Sequence, residues 1–169
     1  MRGGTIAILG ASLVLAAATG ANAGGQTGPA VSTPPAAASV PVDPAAIVAG
    51  RKAAFLLSAA NFGGMKAVID SGGDVAGQAF AARSLANWAK ALPAMFPPGS
   101  NVAPTEALPN VWTDRAGFEA KAAAYAEAAG KLAALAKAGD KPGFAAQWSE
   151  LRKTCGGCHE AYRKEDKKG

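Results

Sequence analysis

Four stretches of this chain repeat apolar residues at the three-, four- or seven-residue steps of a helix, and the first three are closed by glycine or proline. That spacing draws a stripe along one face of a helix, and a helix with one apolar stripe must bury it against others. The first stretch opens at Asp43-Pro44, an N-cap with proline at the first helical position, carries Val48, Phe55, Phe62 and Ile69, and stops at Gly72-Gly73. The second is expected from Asp74 to Leu92, with Val75, Ala79, Ala82, Leu85, Ala86, Ala89 and Leu92 facing inward and Pro93 closing it. The third opens near Thr113-Asp114 and shows Phe118, Tyr125, Ala129, Leu132 and Leu135 before Gly139-Asp140, which ends it and starts the fourth. The fourth reads Phe144, Trp148, Leu151, Cys155, Cys158, Tyr162. The turns at Gly72-Gly73 and Gly139-Asp140 are short, so those neighbours run antiparallel. About twenty residues with five prolines lie between Pro93 and Trp112, a length that marks a crossover wrapping the domain. The expected architecture is all-α, an antiparallel up-and-down four-helix bundle.

The last stripe holds the chemistry. Cys155-Gly156-Gly157-Cys158-His159 uses both cysteines and the one histidine of the chain, and Cys-x-x-Cys-His is the attachment string of a c-type haem. Two thiols add to the two vinyl groups as thioethers, and the adjacent imidazole is offered to iron. On a helix, positions i, i+3 and i+4 share one face, so the three residues address a single flat ligand. A structural zinc site needs four ligands, and no further cysteine or histidine exists to complete one. A thioredoxin-like dithiol would sit in βαβ patterning, whereas Trp148 to Lys164 reads as helix without a Val/Ile-rich strand before it. The covalent haem c therefore belongs in the core of the bundle, near the C-terminal helix.

The beginning of the chain reads as processing and tether. Met1-Arg2, the apolar run Thr5 to Ala18 and the small residues Ala21-Asn22-Ala23 make residues 1–23 a secretory signal peptide. Export into a periplasm-like compartment agrees with haem attachment. Retention of the segment as a membrane anchor stays open. Residues 24–42, rich in Gly, Ala and Pro, form a linker, and residues 43–169 form the bundle. The formal net charge of +5 is too mild to argue for nucleic acid.

From Asp43 onward the chain resembles the cytochrome c′ family, the class II c-type cytochromes. The likeness runs through Arg51 to Phe55, Asn61-Phe62-Gly63-Gly64-Met65, Ala91-Leu92-Pro93, Phe96 with Pro98-Gly99, Val111-Trp112, Ala138-Gly139-Asp140 and Cys155 to Arg163. The resemblance implies thioether cysteines at Cys155 and Cys158 and the proximal iron ligand at His159. It implies Arg51 near the haem propionates, with Lys52 beside it as a polar contact, and Phe96 as a wall of the distal pocket. Arg163 matches an arginine on the proximal side; a solvated place in the basic C-terminal tail is the other reading.

The residue that covers the distal face of iron in the family corresponds to Phe55, which has no lone pair to donate. The expectation is a five-coordinate, high-spin haem with an apolar distal side free of hydrogen-bond donors, binding NO or CO and exchanging single electrons with an unidentified redox partner. The alternative is a six-coordinate, low-spin electron carrier that binds no gas, with Met95 as the overlooked ligand. Met65, ten residues beyond Phe55 on the same helix, is roughly 15 Å away at the helical rise. An enzyme is not expected, because no distal acid or base is visible. The family commonly forms homodimers through the first two helices. Ala53, Ala60, Ala82 and Ala86 suit either such a contact or inward packing.

Overall fold

The computed structural model describes residues 42–165. The expected signal peptide, almost all of the expected linker and the last basic residues lie outside the described residues. Four long helices are present: α1 (Pro44–Asp70), α2 (Ala79–Ala91), α4 (Arg115–Lys137) and α5 (Lys141–Tyr162), with a single-turn α3 (Asn110–Thr113) in the crossover. Among the described residues, extended pairing is limited to one isolated antiparallel bridge, Ala107 with Arg163.

The helix ends follow local chemistry. The Asp43 carboxylate accepts from the Ala45 N–H at 2.9 Å ahead of Pro44. At the other end of α1, Gly72 takes φ +63°, the Gly72 N–H bonds the Ile69 carbonyl at 3.1 Å and the Gly73 N–H bonds the Val68 carbonyl at 3.0 Å. This is the Schellman pattern, in which a left-handed residue after the helix satisfies its last carbonyls. The same arrangement closes α4, with Gly139 at φ +69° and bonds to Ala136 and Leu135. α4 and α5 also share their opening, since Asp114 caps the Gly117 N–H at 3.2 Å and Asp140 caps the Gly143 N–H at 3.0 Å.

The second helix is shorter than its stripe suggested. Asp74 accepts from the Ala76 N–H at 2.9 Å, a 3₁₀ turn runs Ala76–Gln78, and the α-helix begins only at Ala79. It ends at Ala91 because Pro93 has no N–H to continue the ladder, and Leu92–Met95 form another 3₁₀ turn. On α1 the heptad residues mark the inward side, but burial peaks elsewhere: Val48, Arg51 and Met65 are buried, while Phe55, Phe62 and Ile69 are half-buried.

Two apolar clusters divide the interior. One, at the turn end, gathers Met65, Leu85, Leu132, Phe144, Trp148 and Leu151 among others. Its small residues Ala82, Ala86, Ala129 and Ala136 lie where α2 and α4 pack together, the most extensive helix pairing among the described residues. Ala82 and Ala86 are thus inward packing, whereas Ala53 and Ala60 are exposed. The other cluster, at the crossover end, is built on Leu92, Phe96, Val111, Phe118, Ala122 and Tyr162. α1 touches α5 sparsely. Their clearest link is at the turn end, where Phe62 and Trp148 stack with centroids 4.3 Å apart and the Trp148 indole donates to the Phe62 carbonyl at 3.1 Å. No described helix is long and apolar enough to cross a membrane.

Candidate functional site

Cys155 and Cys158 sit one turn apart on α5, both half-buried and both free thiols. Burial pushes both thiols up from their usual range. Protonated thiols at neutral pH are poor nucleophiles and poor metal ligands. His159 follows on the same face and is exposed. Cys158 packs against the crossover-end cluster, the cluster that also receives Phe55 from α1, Trp88 from α2 and Met95 from the 3₁₀ turn. Tyr125 reaches from α4 toward Ser58 on α1 and Cys155 on α5. Burial, reinforced by the Cys155 charge and opposed by its hydrogen bond with Ser58, raises its phenol well above the tyrosine range.

Phe55 stands in an aromatic frame. Its ring meets Trp88 edge to face, with centroids at 5.3 Å and planes at 88°, and is tilted against Phe96 at 6.5 Å. Phe96 in turn packs on Phe118 at 5.1 Å and Trp112 at 6.1 Å. Met65, fully buried, belongs to the other cluster, as its position along α1 requires.

Arg51 lies one turn before Phe55 and is only 2% exposed. Its guanidinium donates to Ser100 Oγ at 3.0 Å, the Ser100 carbonyl at 2.9 Å, Thr105 Oγ1 at 2.6 Å and the Met95 carbonyl at 3.4 Å. It also lies 4.3 Å above the centre of the Phe96 ring. Burial lowers its pKa, and none of the ion pairs among the described residues includes it. A buried cation surrounded by neutral acceptors is suited to an anion from outside the chain.

Lys52 and Arg163, both expected near the haem, converge on one carboxylate. Glu106 of the crossover takes Lys52 Nζ and Arg163 Nε, each at 3.2 Å, and the Lys52 hydrogen bond is the main reason its carboxyl is held below the usual range. All three side chains are a third to a half exposed, so each pair contributes at most about 1 kcal/mol. Their role is geometric, joining α1, the crossover and the end of α5. Around them the Leu108 N–H bonds the Tyr162 carbonyl at 2.9 Å, the Lys164 N–H bonds the Glu106 carbonyl at 2.8 Å and Asn110 donates to the Ala161 carbonyl.

One polar group in the aromatic frame escaped the sequence reading. The indole Nε1 of Trp88 is buried and meets no acceptor among the described residues. An unmet buried donor costs about 1–3 kcal/mol and calls for a reason. Trp88 falls three residues after Leu85 and four before Leu92, on the inward stripe, and that spacing was the available signal.

These observations fit haem c. A half-buried thiol pair with an adjacent imidazole is the donor set for covalent attachment, Arg51 is a buried cation whose hydrogen bonds go only to neutral acceptors, and the Trp88 N–H is a buried donor without an acceptor among the described residues. Cys155, Cys158 and His159 would hold the group, which supplies an iron centre for ligand binding and one-electron exchange. Fold and site together define a c-type haem protein on a four-helix bundle.

Comparison with known proteins agrees. The family model for cytochrome C′ matches residues 46–163. Cytochrome c′ of Alcaligenes xylosoxydans xylosoxydans is 35% identical over 116 residues, spanning 68% of this chain and 90% of the relative. The solved cytochrome c prime from Shewanella frigidimarina shares 35% identity at a TM-score of 0.66, over 73% of this chain and 98% of that one. A nitric oxide complex of a mutant cytochrome c prime from Alcaligenes xylosoxidans shares 31% at 0.68, over 74% and 98%. The chain belongs to the cytochrome c′ family, whose cofactor is covalent haem c.

Proposed function

We propose that this chain is an exported, periplasmic haem c protein whose iron takes His159 on one side and leaves the other to exogenous diatomic ligands of the NO and CO type, with single-electron exchange as its second capacity. The observation that carries this reading is Phe55. It is the α1 residue enclosed by Trp88 and Phe96 at the end of the bundle that holds Cys158, and a phenyl ring covers iron without coordinating it. The solved nitric oxide complex of a relative supports the ligand class. Arg51 answers the haem carboxylates, with Lys52 and Arg163 near by on Glu106. The exposed apolar side chains Leu56 and Leu57 on α1 and Phe80 on α2 support self-association through the first two helices, which sedimentation of the haem-loaded protein measures.

The test is an absorption spectrum of the reduced protein with and without CO. A broad high-spin spectrum that changes on adding CO is expected. Phe55→Ala should strengthen CO binding by clearing the iron's open face, and Phe55→Met should convert the iron to a low-spin form by placing a thioether there. A sharp low-spin spectrum in the wild type, indifferent to CO, would overturn the reading and direct attention to Met95.

A further inference from the structure

The chain has three tryptophans, and two of them have satisfied indoles. Trp112 donates to the Pro97 carbonyl at 3.1 Å and Trp148 to the Phe62 carbonyl at 3.1 Å. Trp88 alone has a buried N–H with no acceptor among the described residues, and it is the one that packs edge to face on Phe55 at 5.3 Å. A purely apolar wall there would be served by phenylalanine or leucine, which fill space without stranding a donor. An indole at this position points to an acceptor that arrives with what the site binds.

The haem carboxylates and the outer atom of a diatomic ligand are both acceptors of this kind. Arg51, with Ser100 and Thr105, marks the carboxylate side, and its guanidinium lies against Phe96 and Trp112. Trp88 contacts the ring proposed to stand over iron. We infer that Trp88 is a distal hydrogen-bond donor, its Nε1–H directed to the oxygen end of a diatomic ligand held on the side opposite His159. The inference rests on the gas-binding reading above and changes its character, since the distal pocket then carries one polar group that favours ligands whose oxygen end gains negative charge. NO gains more from such a donor than CO does.

The experiment is infrared spectroscopy of the CO adduct of the reduced haem-loaded protein, in H₂O and in D₂O, for the wild type and Trp88→Phe. A hydrogen bond to the ligand lowers the C–O stretch, so the wild type should absorb at lower frequency than the variant. It should also shift on deuteration, a shift that the variant loses. The wild-type isotope shift reads the bond even if the variant folds poorly. A C–O stretch that is unmoved by deuteration and identical in Trp88→Phe overturns the inference while leaving gas binding intact. Trp88→Phe that moves only the haem carboxylate modes in the resonance Raman spectrum overturns it in favour of the carboxylate. A reduced wild type that takes up no CO overturns the gas-binding reading and this one together.

Discussion

Replacing Arg51 by leucine tests how the crossover is held to the bundle. The substitution removes three hydrogen bonds of 3.0 Å or less, to Ser100 Oγ, the Ser100 carbonyl and Thr105 Oγ1. Bonds from a charged donor contribute about 1.5–3 kcal/mol each, a gross loss of roughly 5–9 kcal/mol. Against this stands the burial of a guanidinium that faces no carboxylate, which costs several kcal/mol and is relieved at the same stroke. Ser100 Oγ keeps its own bond to the Pro97 carbonyl at 2.8 Å, and Thr105 Oγ1 still accepts from the Ala107 N–H at 3.2 Å, so the partners are not wholly orphaned. The balance is a destabilisation of about 2–4 kcal/mol. For a domain of this size that corresponds to a fall in Tm of roughly 8–16 °C. Guanidinium unfolding of the haem-loaded protein, followed by far-ultraviolet circular dichroism, measures it. Arg51→Lys should recover less than half, because an ammonium cannot fork between Ser100 and Thr105 as the planar guanidinium does. An Arg51→Leu variant with the midpoint and slope of the wild type would refute the assignment of this network as the fastening of the crossover.

Other outcomes follow from the same geometry. A Cβ at Gly117 would stand 2.5 Å from the Tyr162 hydroxyl and against the Asp114 carboxylate, so Gly117→Ala should destabilise by about 1–2 kcal/mol after its helix-propensity gain of about 1 kcal/mol; thermal unfolding showing a net gain would contradict this. Tyr162 is pushed up to about 12 by its hydrogen bond to Asp114, and Tyr125 is raised further by burial. The folded state therefore favours the protonated phenols: the Tyr162 contribution is whole below the ordinary tyrosine pKa of about 10 and is lost as pH rises from there to about 12. Ultraviolet titration should show phenolate appearing above the normal range, and ordinary titration of both tyrosines in the folded protein would count against the packing described. The double variant Cys155→Ala, Cys158→Ala should yield its haem to acidified organic solvent while His159→Ala retains it, and covalent retention in the double variant would defeat the attachment reading.

The helices were legible because their limits are written locally. Asp43-Pro44, Gly72-Gly73 and Gly139-Asp140 act through neighbours a few residues away, and each appears in the structure as a cap or a left-handed turn. The start of α2 was less legible, since Asp74 competes for the backbone two residues on and sets a 3₁₀ turn first. That the three residues of the Cys-x-x-Cys-His string share one side of α5 could be read from spacing alone, whereas their burial could not: both cysteines are half-buried and His159 is exposed. The bonds Arg51 makes to the crossover could not be read from spacing either, because its acceptors lie 49 and 54 residues away, and the family resemblance points only to the haem carboxylates. The same distance hid the joint destination of Lys52 and Arg163 on Glu106. The role of Trp88 is illegible for a different reason: in a stripe rich in alanine and leucine it reads as one more apolar residue, and an unmet donor is visible only when every neighbouring acceptor has been placed.

The fastening of the crossover to two helices has a mechanical consequence. Arg51 pins the loop to α1, and the Ala107–Arg163 bridge with its flanking bonds pins it to the end of α5. At the far end the same two helices are spaced by the Phe62–Trp148 stack. The helix bearing Phe55 and the helix bearing Cys158 are thus tied to each other at both ends, through the crossover at one and through the aromatic stack at the other. Ser100 and Thr105, which belong to neither helix, hold one of those two ties and so help to fix how far apart the helices stand.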